Sequence, residues 1–372
     1  MADRTRDLHE YYMRMALSFA RRGTGYVSPN PRVGCVIVDY SVPGGRVVAH
    51  GYHKKYGGPH AEVNALNSAK EPAAGMTAYV TLEPCCHTGH TPPCCDALIA
   101  AGLSRVVVGM SDPDPRVSGG GAARLESAGV EVVSPVLEDE CLSLNRGFVK
   151  RVTKGRPWVT VKAAVSLDGD VALPGGESKW ITGAQSRRLA HLMRAGTDVI
   201  MAGSGTIIKD DPALTVRDTD GRSPMKAVVD KNLEIPLASR VFDGGCVVFT
   251  AREPDDGRAE AFRNHGAKVI KIGADTDGHI PPGEILKELS VMGANYVMVE
   301  GGAGLISSFL SSGEADEIAF FEAPKLMGGG IGVTNGMSFG KMEDVLGVMD
   351  VSVKRVGGDI LMRGVMPCSR AL

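Results

Sequence analysis

The sequence predicts two α/β domains in succession, and three observations lead to that prediction. The chain has 372 residues, more than a single hydrophobic core usually accommodates. Segments with helical and with strand periodicity alternate in both halves, as they do in layered α/β folds. Hydrophobic residues make up 43% of the sequence and charged residues 23%, so there is enough apolar material for two cores.

Composition also limits the function. The formal net charge of −2 lacks the basic excess of a nucleic-acid-binding protein and favours a small-molecule substrate. No apolar run reaches the roughly 18 residues of a membrane-spanning helix. The polar residues 1–7 lack the apolar core of a secretory signal. We therefore expect a cytoplasmic protein without a membrane partner, or a plastid protein if a transit peptide has been removed.

The first half begins with a helix predicted over residues 8–22, where apolar side chains recur every three or four residues before Gly23. Two strands, 33–38 and 47–51, flank a Pro43-Gly44-Gly45 turn and predict a hairpin. The elements that follow are a helix 60–66, a strand 78–82, a helix 96–101, a strand 106–109, a helix 122–128 and a strand 130–133. This alternation predicts the first α/β domain.

Residues 144–157 are polar and basic and contain two glycines and a proline, which is typical of a connection between domains. We therefore predict a first domain over 1–147, a linker over 148–156 and a second domain over 157–372. Strands are predicted at 159–165, 198–202, 226–229, 246–250, 267–272 and 296–299, and helices at 186–193, 259–265, 282–292 and 305–311. The last segment, 328–372, is strand-like at 351–356 and 360–363 and has no assignable role.

His60 and Glu62, followed by Cys85 and Cys94, have the residue types and order of a hydrolytic zinc site. One imidazole and two thiolates supply three of the four positions that zinc prefers, and a catalytic zinc keeps the fourth position for water. His-x-Glu followed by Pro-Cys and a second Cys is typical of zinc deaminases, in which the Glu moves protons and does not bind the metal. The sequence therefore predicts three zinc ligands and one general acid and base.

A structural zinc site is the main alternative. Such a site would need a fourth ligand from the protein. Four candidates lie nearby: Cys86, His87, His90 and Cys95. That interpretation leaves Glu62 without a purpose. Neighbouring residues on a helix point about 100° apart, so only one of Cys94 and Cys95 can face a metal. We apply the same reasoning to Cys85 and Cys86, and predict Cys85 and Cys94 as the ligands.

A glycine-rich stretch in the second half, Gly301-Gly302-Ala303-Gly304, joins a predicted strand to a predicted helix. This geometry directs backbone N–H groups toward a phosphate. The pattern is not Gly-x-Gly-x-x-Gly, and no acidic ribose partner follows at the expected distance, so an ordinary Rossmann site is not predicted. A tight turn between strand and helix, with no ligand, is the alternative.

Several motifs together resemble the bifunctional riboflavin-biosynthesis deaminase/reductase family. In the first half they are Ser28-Pro29-Asn30-Pro31, Gly51-x-His53, His60-Ala61-Glu62, Thr81-Leu82-Glu83-Pro84-Cys85-x-His87, Thr91-Pro92-Pro93-Cys94 and Asp112-Pro113-x-Pro115. In the second half they are Val165-Ser166-Leu167-Asp168-Gly169, Glu177-Ser178-Lys179-Trp180-Ile181-Thr182, Asp210-Asp211-Pro212-Ala213-Leu214-Thr215-Val216-Arg217 and Glu300-Gly301-Gly302. The eight residues between Cys85 and Cys94 are the spacing of this family, unlike the Cys-x-x-Cys of other deaminases. The resemblance implies a cytidine-deaminase-like three-layer α/β domain followed by a dihydrofolate-reductase-like α/β domain.

The resemblance also implies a site in each domain. In the first, His60, Cys85 and Cys94 would bind one Zn²⁺ per chain, with Glu62 as proton shuttle. The residues implied to contact the pyrimidine and its ribose phosphate there are Asn30, His53 and His87. The residues implied to hold NADPH in the second domain are Ala164, Trp180, Thr206, Asp210, Gly302, Ala303 and Gly304. The residues implied to contact its substrate are Lys162, Ser178, Arg194, Leu214, Arg217 and Glu300.

Phosphate recognition is the part of this picture in which the chain departs from the family. His90 and Gly120 stand at positions where a basic residue is common. Histidine is only partly charged at neutral pH, so phosphate binding in the first domain would depend on other groups. In the second domain, Arg194 and Arg217 suit a phosphate because a guanidinium offers bidentate donors.

We expect two reactions on one small molecule, 2,5-diamino-6-ribosylamino-4(3H)-pyrimidinone 5′-phosphate: hydrolytic deamination of the ring, then NADPH-dependent reduction of the ribosyl group to a ribityl chain. We also expect a homo-oligomer. The alternatives are a deaminase whose second domain only binds nucleotide, a deaminase of nucleosides or nucleic acid, and a non-catalytic scaffold stabilised by zinc. The near-neutral charge argues against nucleic acid.

Overall fold

The structure is a computed structural model that describes residues 2–87, 92–115, 117–253, 255–276 and 278–369. It divides into two compact units, residues 1–154 and 155–372. No helix of these described residues is long and apolar enough to cross a membrane. Both units are α/β, which confirms the predicted fold class.

The first unit is a five-stranded sheet with helices packed against it. Its strands are β1 (Gly34–Asp39), β2 (Arg46–Tyr52), β3 (Thr77–Val80), β4 (Arg105–Val108) and β5 (Glu131–Val133). Its helices are α1 (Ala2–Ala20), α2 (Ala61–Ser68), α3 (Cys94–Ala100), α4 (Gly120–Ser127) and α5 (Glu138–Lys154). The strand order is β2-β1-β3-β4-β5, with β1 antiparallel to both neighbours and β3, β4 and β5 parallel.

Two glycines let helices approach this sheet closely. A Cβ at Gly34 in β1 would overlap the backbone of Ala16 in α1, and a Cβ at Gly51 in β2 would overlap the backbone of Ala61 and Ala65 in α2. Only glycine permits such contact between backbones. The second contact places the start of α2, where the predicted zinc motif begins, against the hairpin.

The predicted linker is corrected by the structure. Residues 148–154 are the final turns of α5, and the division between the two units follows Lys154. Phe148 and Val149 are buried, and Val149 belongs to the core of the first unit. Their apolar stripe was obscured in the sequence by the polar and basic residues on the other face of the same helix.

The second unit contains a nine-stranded sheet and a separate two-stranded pair. Its strands are β6 (Trp158–Ser166), β7 (Asp170–Ala172), β8 (Val199–Gly203), β9 (Met225–Val229), β10 (Cys246–Thr250), β11 (Ala267–Lys271), β12 (Tyr296–Glu300), β13 (Glu317–Ala323), β14 (Ile331–Gly332), β15 (Met349–Val356) and β16 (Asp359–Val365). Its helices are α6 (Ala184–Ala195), α7 (Ser204–Asp210), α8 (Gly257–Asn264), α9 (Pro282–Val291) and α10 (Ala303–Ser311).

The order across the large sheet is β11-β10-β9-β8-β12-β6-β13-β16-β15, while β7 pairs with β14. From β11 to β13 all neighbours are parallel, and the last two strands are antiparallel. The strand-like stretches noted near the C-terminus are β15 and β16. Parallel pairing brings the carboxyl ends of β9, β8, β12 and β6 to one edge, which is where ligands bind in open α/β sheets.

Candidate active sites

His60, Cys85 and Cys94 converge in the first unit. His60 is the N-cap of α2, Cys85 follows β3, and Cys94 is the first residue of α3. The Nδ1 atom of His60 lies 3.2 Å from Sγ of Cys94 and 3.6 Å from Sγ of Cys85. The three ligand atoms all lie within 4.8 Å of one another.

This donor set fits zinc. Ligands at about 2.0–2.3 Å from a tetrahedral ion lie roughly 3.5 Å from one another, close to the separations found here. Hydrogen bonds with Cys94 and with His60 lower the pKa of the Cys85 thiol. Burial raises this pKa, but the hydrogen bonds prevail. Zinc binds the thiolate form that this environment favours. Three protein donors leave one coordination position open, as in catalytic zinc sites.

The neighbouring cysteines do not join the group. Sγ of Cys95 donates to the carbonyl oxygens of Pro84 and Gly121, at 3.3 and 3.5 Å. Sγ of Cys86 lies against Gly120, 2.8 Å from where a Cβ would be. Among the residues that the structure describes, the alternative of a structural site with a fourth ligand therefore has no support. His90 lies outside the described residues.

Glu62 lies beside the ligand group in the first turn of α2. It is 3% exposed, and its carboxyl group interacts with the thiol of Cys94. Burial raises the pKa of Glu62 to about 7. A carboxyl group that titrates near neutral pH can accept a proton in one step and return it in the next.

Asn30 and His53 complete the wall of this site, and their hydrogen bonds determine the protonation of the imidazole. Nδ2 of Asn30 donates to Nε2 of His53 (3.2 Å), and Nδ1 of His53 donates to the carbonyl of Pro59 (3.1 Å). His53 is therefore neutral, and burial lowers its pKa accordingly. Its ring centre lies 5.2 Å from that of His60. The third predicted substrate contact, His87, is exposed at the end of the described loop.

Glu83 is a buried carboxylate in this region to which the sequence assigned no role. It is 5% exposed and accepts backbone N–H groups of Asp112, Gly119, Gly121 and Ala122 at 3.0–3.2 Å. These partners lie 29 to 39 residues away, so no local pattern could reveal them. Glu83 thereby ties the segment after β4 to the segment that bears Cys85.

The segment after β4 includes Asp112, which lies on the predicted substrate side of the site. Burial raises the pKa of Asp112 to about 6, although the nearby charge of His87 acts in the opposite direction. Asp112 thus lies within electrostatic range of His87, and its backbone N–H donates to Glu83. The sequence contained Asp112 in a family motif, but only the structure shows that Asp112 and His87 influence each other electrostatically.

A cleft of about 860 Å³ lies at the carboxyl ends of the parallel strands in the second unit. This cleft is lined by all the residues that were implied to hold NADPH and by all those implied to contact the substrate of the reductase. They come from β6, α6, α7, β12, the start of α10 and the loops between these elements. The structure therefore brings together residues spread over more than a hundred positions of the sequence.

The glycine turn has the shape predicted for a phosphate site. Gly301 and Gly302 have φ angles of 78° and 77°, a region that side-chain-bearing residues rarely adopt, and α10 begins directly after them. Oγ1 of Thr206 lies 3.0 Å from where a Cβ of Gly302 would be, so the backbone passes close to α7. The start of α10 lines the cleft, and a helix N-terminus is a position that suits a phosphate group.

Glu300, at the end of β12, forms a buried ion cluster with Arg194 and Lys162. Its carboxylate accepts from Nη2 and Nε of Arg194 at 2.7 and 2.8 Å, and Nζ of Lys162 lies 3.5 Å away. Burial raises the pKa of Glu300, but the charges of Lys162 and Arg194 outweigh burial and hold the pKa at about 2. Nη1 of Arg194 also donates to the carbonyl of Thr215. The guanidinium of Arg194 thus donates its hydrogen bonds to groups of the protein itself, whereas the sequence suggested that it binds a phosphate.

The remaining predicted residues take varied positions around the cleft. Trp180 is 64% exposed, and the guanidinium of Arg187 lies 4.5 Å from its ring centre. Asp210 lies 3.9 Å from Nζ of Lys179. Leu214 is 3% exposed and belongs to a core cluster as well as to the cleft wall. The backbone N–H of Arg217 donates to Nδ1 of His191, and Ser178 lines the cleft.

Two family models match the chain. Residues 6–110 match the cytidine and deoxycytidylate deaminase zinc-binding region, and residues 157–362 match the RibD C-terminal domain. The chain is 41% identical over 361 residues to the riboflavin biosynthesis protein RibD of Aquifex aeolicus, covering 96% of this chain and 98% of the relative. It is 39% identical over 369 residues to RibD of Escherichia coli, covering 95% and 98%.

Solved structures agree over nearly the full length. One form of Acinetobacter baumannii RibD is similar with a TM-score of 0.87 and 36% identity, covering 97% of this chain and 99% of that one. A diaminohydroxyphosphoribosylaminopyrimidine deaminase/5-amino-6-(5-phosphoribosylamino)uracil reductase from Thermotoga maritima is similar with a TM-score of 0.85 and 36% identity, with the same coverage. The similarity to these proteins thus extends over both units.

Replacing Glu83 by Ala is expected to loosen the segment that it holds. Four backbone N–H groups lose their acceptor, and each buried unsatisfied group costs on the order of 1–3 kcal/mol. Amide hydrogen exchange of Asp112, Gly119, Gly121 and Ala122 should then accelerate by at least ~10-fold. Glu126→Ala, at an exposed position of α4, is the control and should leave these amides unchanged. Unaltered exchange in Glu83→Ala would show that the carboxylate does not organise the segment.

The ion cluster predicts an acid-sensitive stability for the second unit. Because the folded pKa of Glu300 lies at about 2, below its ordinary 4.5, its pairing stabilises the fold above pH 4.5. This contribution is lost as the pH falls from 4.5 toward 2. Unfolding followed by tryptophan fluorescence reports on this unit, because both tryptophans, Trp158 and Trp180, lie in it.

The wild type should therefore lose more stability over that pH range than Glu300→Gln, which has no carboxylate to protonate at this position. Glu284→Gln, at an exposed position of α9, should follow the wild type. Parallel stability curves for the wild type and Glu300→Gln would contradict a strongly lowered pKa at Glu300.

Proposed function

The chain belongs to the RibD family of riboflavin biosynthesis proteins, and from this we infer which of its residues carry out the two reactions of the family. The protein is a bifunctional enzyme of riboflavin biosynthesis, a zinc-dependent deaminase followed by an NADPH-dependent reductase. We propose that the deaminase acts on 2,5-diamino-6-ribosylamino-4(3H)-pyrimidinone 5′-phosphate, and that the reductase then reduces the ribosyl group of the deaminated product to a ribityl chain. The activities named for the Thermotoga maritima relative support this choice.

The observation that carries the deaminase assignment is a buried Glu62 beside three zinc donors. Bound zinc supplies a Lewis acid that activates water. In our proposal Glu62 accepts one proton of this water and passes it to a ring nitrogen of the pyrimidine. It then takes the proton of the newly added hydroxyl group and gives it to the amino group, which leaves as ammonia. Water replaces the amino group, so the products are the ring carbonyl and ammonia. The pKa of about 7 at Glu62 suits both directions of transfer.

Asn30 and His53 would orient the pyrimidine in this step. The neutral His53 is held by Asn30 on one side and by Pro59 on the other, so its ring offers a fixed surface. A neutral imidazole beside His60 also avoids placing a second positive charge near the metal position. Their role is to bind and orient, with proton transfer left to Glu62.

In the reductase, bound NADPH supplies hydride to the C1′ carbon of the ribose. Glu300 would remain ionised at neutral pH, because its pKa is about 2, and so would accept hydrogen bonds from substrate hydroxyls and not donate a proton. Arg194 would position this carboxylate. Arg217, which lines the same cleft, would then bind the substrate phosphate.

We also propose a cytoplasmic homo-oligomer. None of the eight cysteines forms a disulfide, which is typical of a reducing compartment. The edge strand β15 exposes Val351 and Val353, which are 51% and 65% accessible, and a second copy of the chain would cover such an edge. Light scattering of the purified protein tests this, and a monomeric mass would reject it.

The function is tested by mixing the purified protein with the diaminopyrimidine nucleotide, with and without NADPH. Ammonia release follows the deaminase and NADPH absorbance follows the reductase. Ammonia should appear without NADPH, and NADPH oxidation should require prior deamination. Ammonia release without any NADPH oxidation would favour the alternative in which the second unit only binds nucleotide. Deamination of single-stranded DNA or RNA in preference to the nucleotide would favour the nucleic-acid alternative.

Glu62→Ala should lower the rate of ammonia release by at least ~10²-fold, the usual contribution of a general acid and base. Zinc content should stay at one per chain, because Glu62 is not a ligand. Reduction of the separately supplied deaminated nucleotide should be unchanged. Full deaminase activity in this variant would overturn the assignment and leave zinc with a structural role.

Arg217→Ala should have the reciprocal effect. Loss of one guanidinium–phosphate interaction is expected to raise KM of the reductase for the nucleotide by about 10-fold or more. Ammonia release should stay at the wild-type rate. Arg263→Ala, at an exposed position on α8 outside the cleft, is the control. A fall of both activities together would contradict two independent sites.

A further inference from the structure

The loop that carries Asn30 depends on other parts of the first unit for its position. Residues 28–32, which we call the Asn30 loop, precede β1 and belong to no helix or strand. Pro29 and Pro31 have no backbone N–H, so the loop cannot pair along its length as a strand does. The backbone N–H of Asn30 donates to the carbonyl of Val27 at 2.9 Å. The carbonyl groups of the loop need partners from elsewhere in the fold, and α5 supplies two of them.

Asn145, in the middle of α5, holds the end of the Asn30 loop. Its side chain is buried, with 1% exposure. Oδ1 of Asn145 accepts the backbone N–H of Arg32 at 2.8 Å, and Nδ2 donates to the carbonyl oxygen of the same residue at 2.9 Å. One amide side chain thus satisfies both backbone groups of Arg32, as a residue on a neighbouring strand would. The two residues are 113 positions apart, so no local pattern reveals this contact.

Arg151, in the last turn of α5, holds the start of the same loop. Its Nη2 donates to the carbonyl oxygen of Pro29 at 2.8 Å. A hydrogen bond from a charged donor is stronger than one between neutral groups. The guanidinium also lies 5.8 Å from the ring centre of Phe148, which is itself buried, and this contact helps to direct the side chain. A single helix therefore holds the loop at two points.

These two points lie on either side of Asn30. Pro29 directly precedes it, and Arg32 follows two residues later. The side chain between them donates from Nδ2 of Asn30 to Nε2 of His53 at 3.2 Å. The backbone N–H of His53 in turn donates to the carbonyl of Val33, directly after the loop, at 3.0 Å. The position of Asn30 relative to His53 therefore depends on where α5 holds the loop.

The zinc donors are positioned by other elements. His60 is the N-cap of α2, Cys85 follows β3, and Cys94 is the first residue of α3. The hydrogen bonds from α5 reach Pro29 and Arg32, on the side of the site where the pyrimidine is proposed to bind. A change in α5 can therefore alter the orientation of the substrate while the metal donors keep their places.

We propose that Asn145 and Arg151 are positioning residues of the deaminase, which fix the Asn30 loop so that the pyrimidine binds in one orientation. This step builds on the proposed function, in which Asn30 and His53 bind and orient the ring. A displacement of about 1 Å between reacting groups can lower a rate by about 10²-fold, so the position of these two residues affects the chemistry. Proton transfer remains with Glu62.

The test compares kcat/KM for ammonia release from the diaminopyrimidine nucleotide among variants of the intact, zinc-loaded protein. Asn145→Ala and Arg151→Ala should each lower kcat/KM by about 10-fold or more, the usual loss when a hydrogen-bonded group is left without its partner. Arg151→Lys keeps a cationic donor for the carbonyl oxygen of Pro29 and should recover most of the activity. Lys154→Ala removes an exposed cation from the last turn of the same helix and should behave like the wild type.

Asn30→Ala separates positioning from general support of the fold. If α5 acts through Asn30, then adding Asn145→Ala or Arg151→Ala to Asn30→Ala should lower kcat/KM by less than about 2-fold further, because residues that act as a unit are not additive. A general loss of stability would instead lower kcat/KM equally in the presence and in the absence of Asn30.

Folding of the variants is checked independently of deamination. Zinc content should stay at one per chain, and reduction of the separately supplied deaminated nucleotide should be unchanged. Asn145 is buried, whereas Arg151 is only half-buried, so Arg151→Ala provides the same test with less effect on stability. Amide hydrogen exchange of Arg32 should accelerate by at least ~10-fold in Asn145→Ala and stay unchanged in Lys154→Ala.

The outcomes separate this inference from the proposed function. Normal kcat/KM in both alanine variants of α5 would overturn the inference, and so would losses of equal size in the presence and in the absence of Asn30. Either result would leave the proposed function in place. Normal kcat/KM in Asn30→Ala would reject Asn30 as a substrate contact, and the inference with it. A wild-type protein that releases no ammonia would reject the proposed function itself.

Discussion

Parallel pairing of strands brings the carboxyl ends of neighbouring strands to the same edge of a sheet, and both sites of this protein depend on that constraint. In the first unit β3 and β4 deliver Cys85 and Asp112 to one edge. In the second unit β9, β8, β12 and β6 deliver the cleft residues to one edge. The chain therefore assembles residues distant in sequence by repeating one local device, a strand that ends in a polar loop.

Buried carboxylates hold those loops in place. Burying an anion is costly unless hydrogen bonds or opposite charges compensate it. Glu83 is compensated by four backbone N–H groups, Asp230 by two, and Glu300 by a guanidinium and an ammonium. Each compensation also orders a segment next to a functional group. The interactions that offset the cost of burying each carboxylate thus also fix the position of the site loops.

The same residue type reaches very different pKa values through its neighbours. Glu62 and Glu300 are both deeply buried. Glu62 has thiols and an imidazole near it, so burial prevails and its pKa rises to about 7, whereas the two cations beside Glu300 hold its pKa at about 2. One carboxyl group is thereby suited to transfer protons, and the other to remain a fixed anion. This difference divides the chemistry between the two units.

The sequence by itself determined the fold class, the three zinc donors and the proton shuttle as candidates, because these rest on periodicity and on short motifs. Most strands and helices also lie within a few residues of their predicted positions. Helix α7 was not predicted, since its seven residues provide too little periodic pattern, and strand β13 was not predicted either. Residues 148–154, the end of helix α5, were assigned to the predicted linker because the apolar face of the helix is interrupted by polar residues.

Only the tertiary structure decided how these residues are used. The role of Glu83 depends on partners 29 to 39 residues away, and the engagement of Arg194 with Glu300 spans 106 residues. The cleft of the second unit depends on the order of strands in the sheet, which a single sequence does not encode locally. Side-chain type and spacing set what a residue can do chemically, but long-range pairing and burial determine its neighbours, its pKa and hence its function.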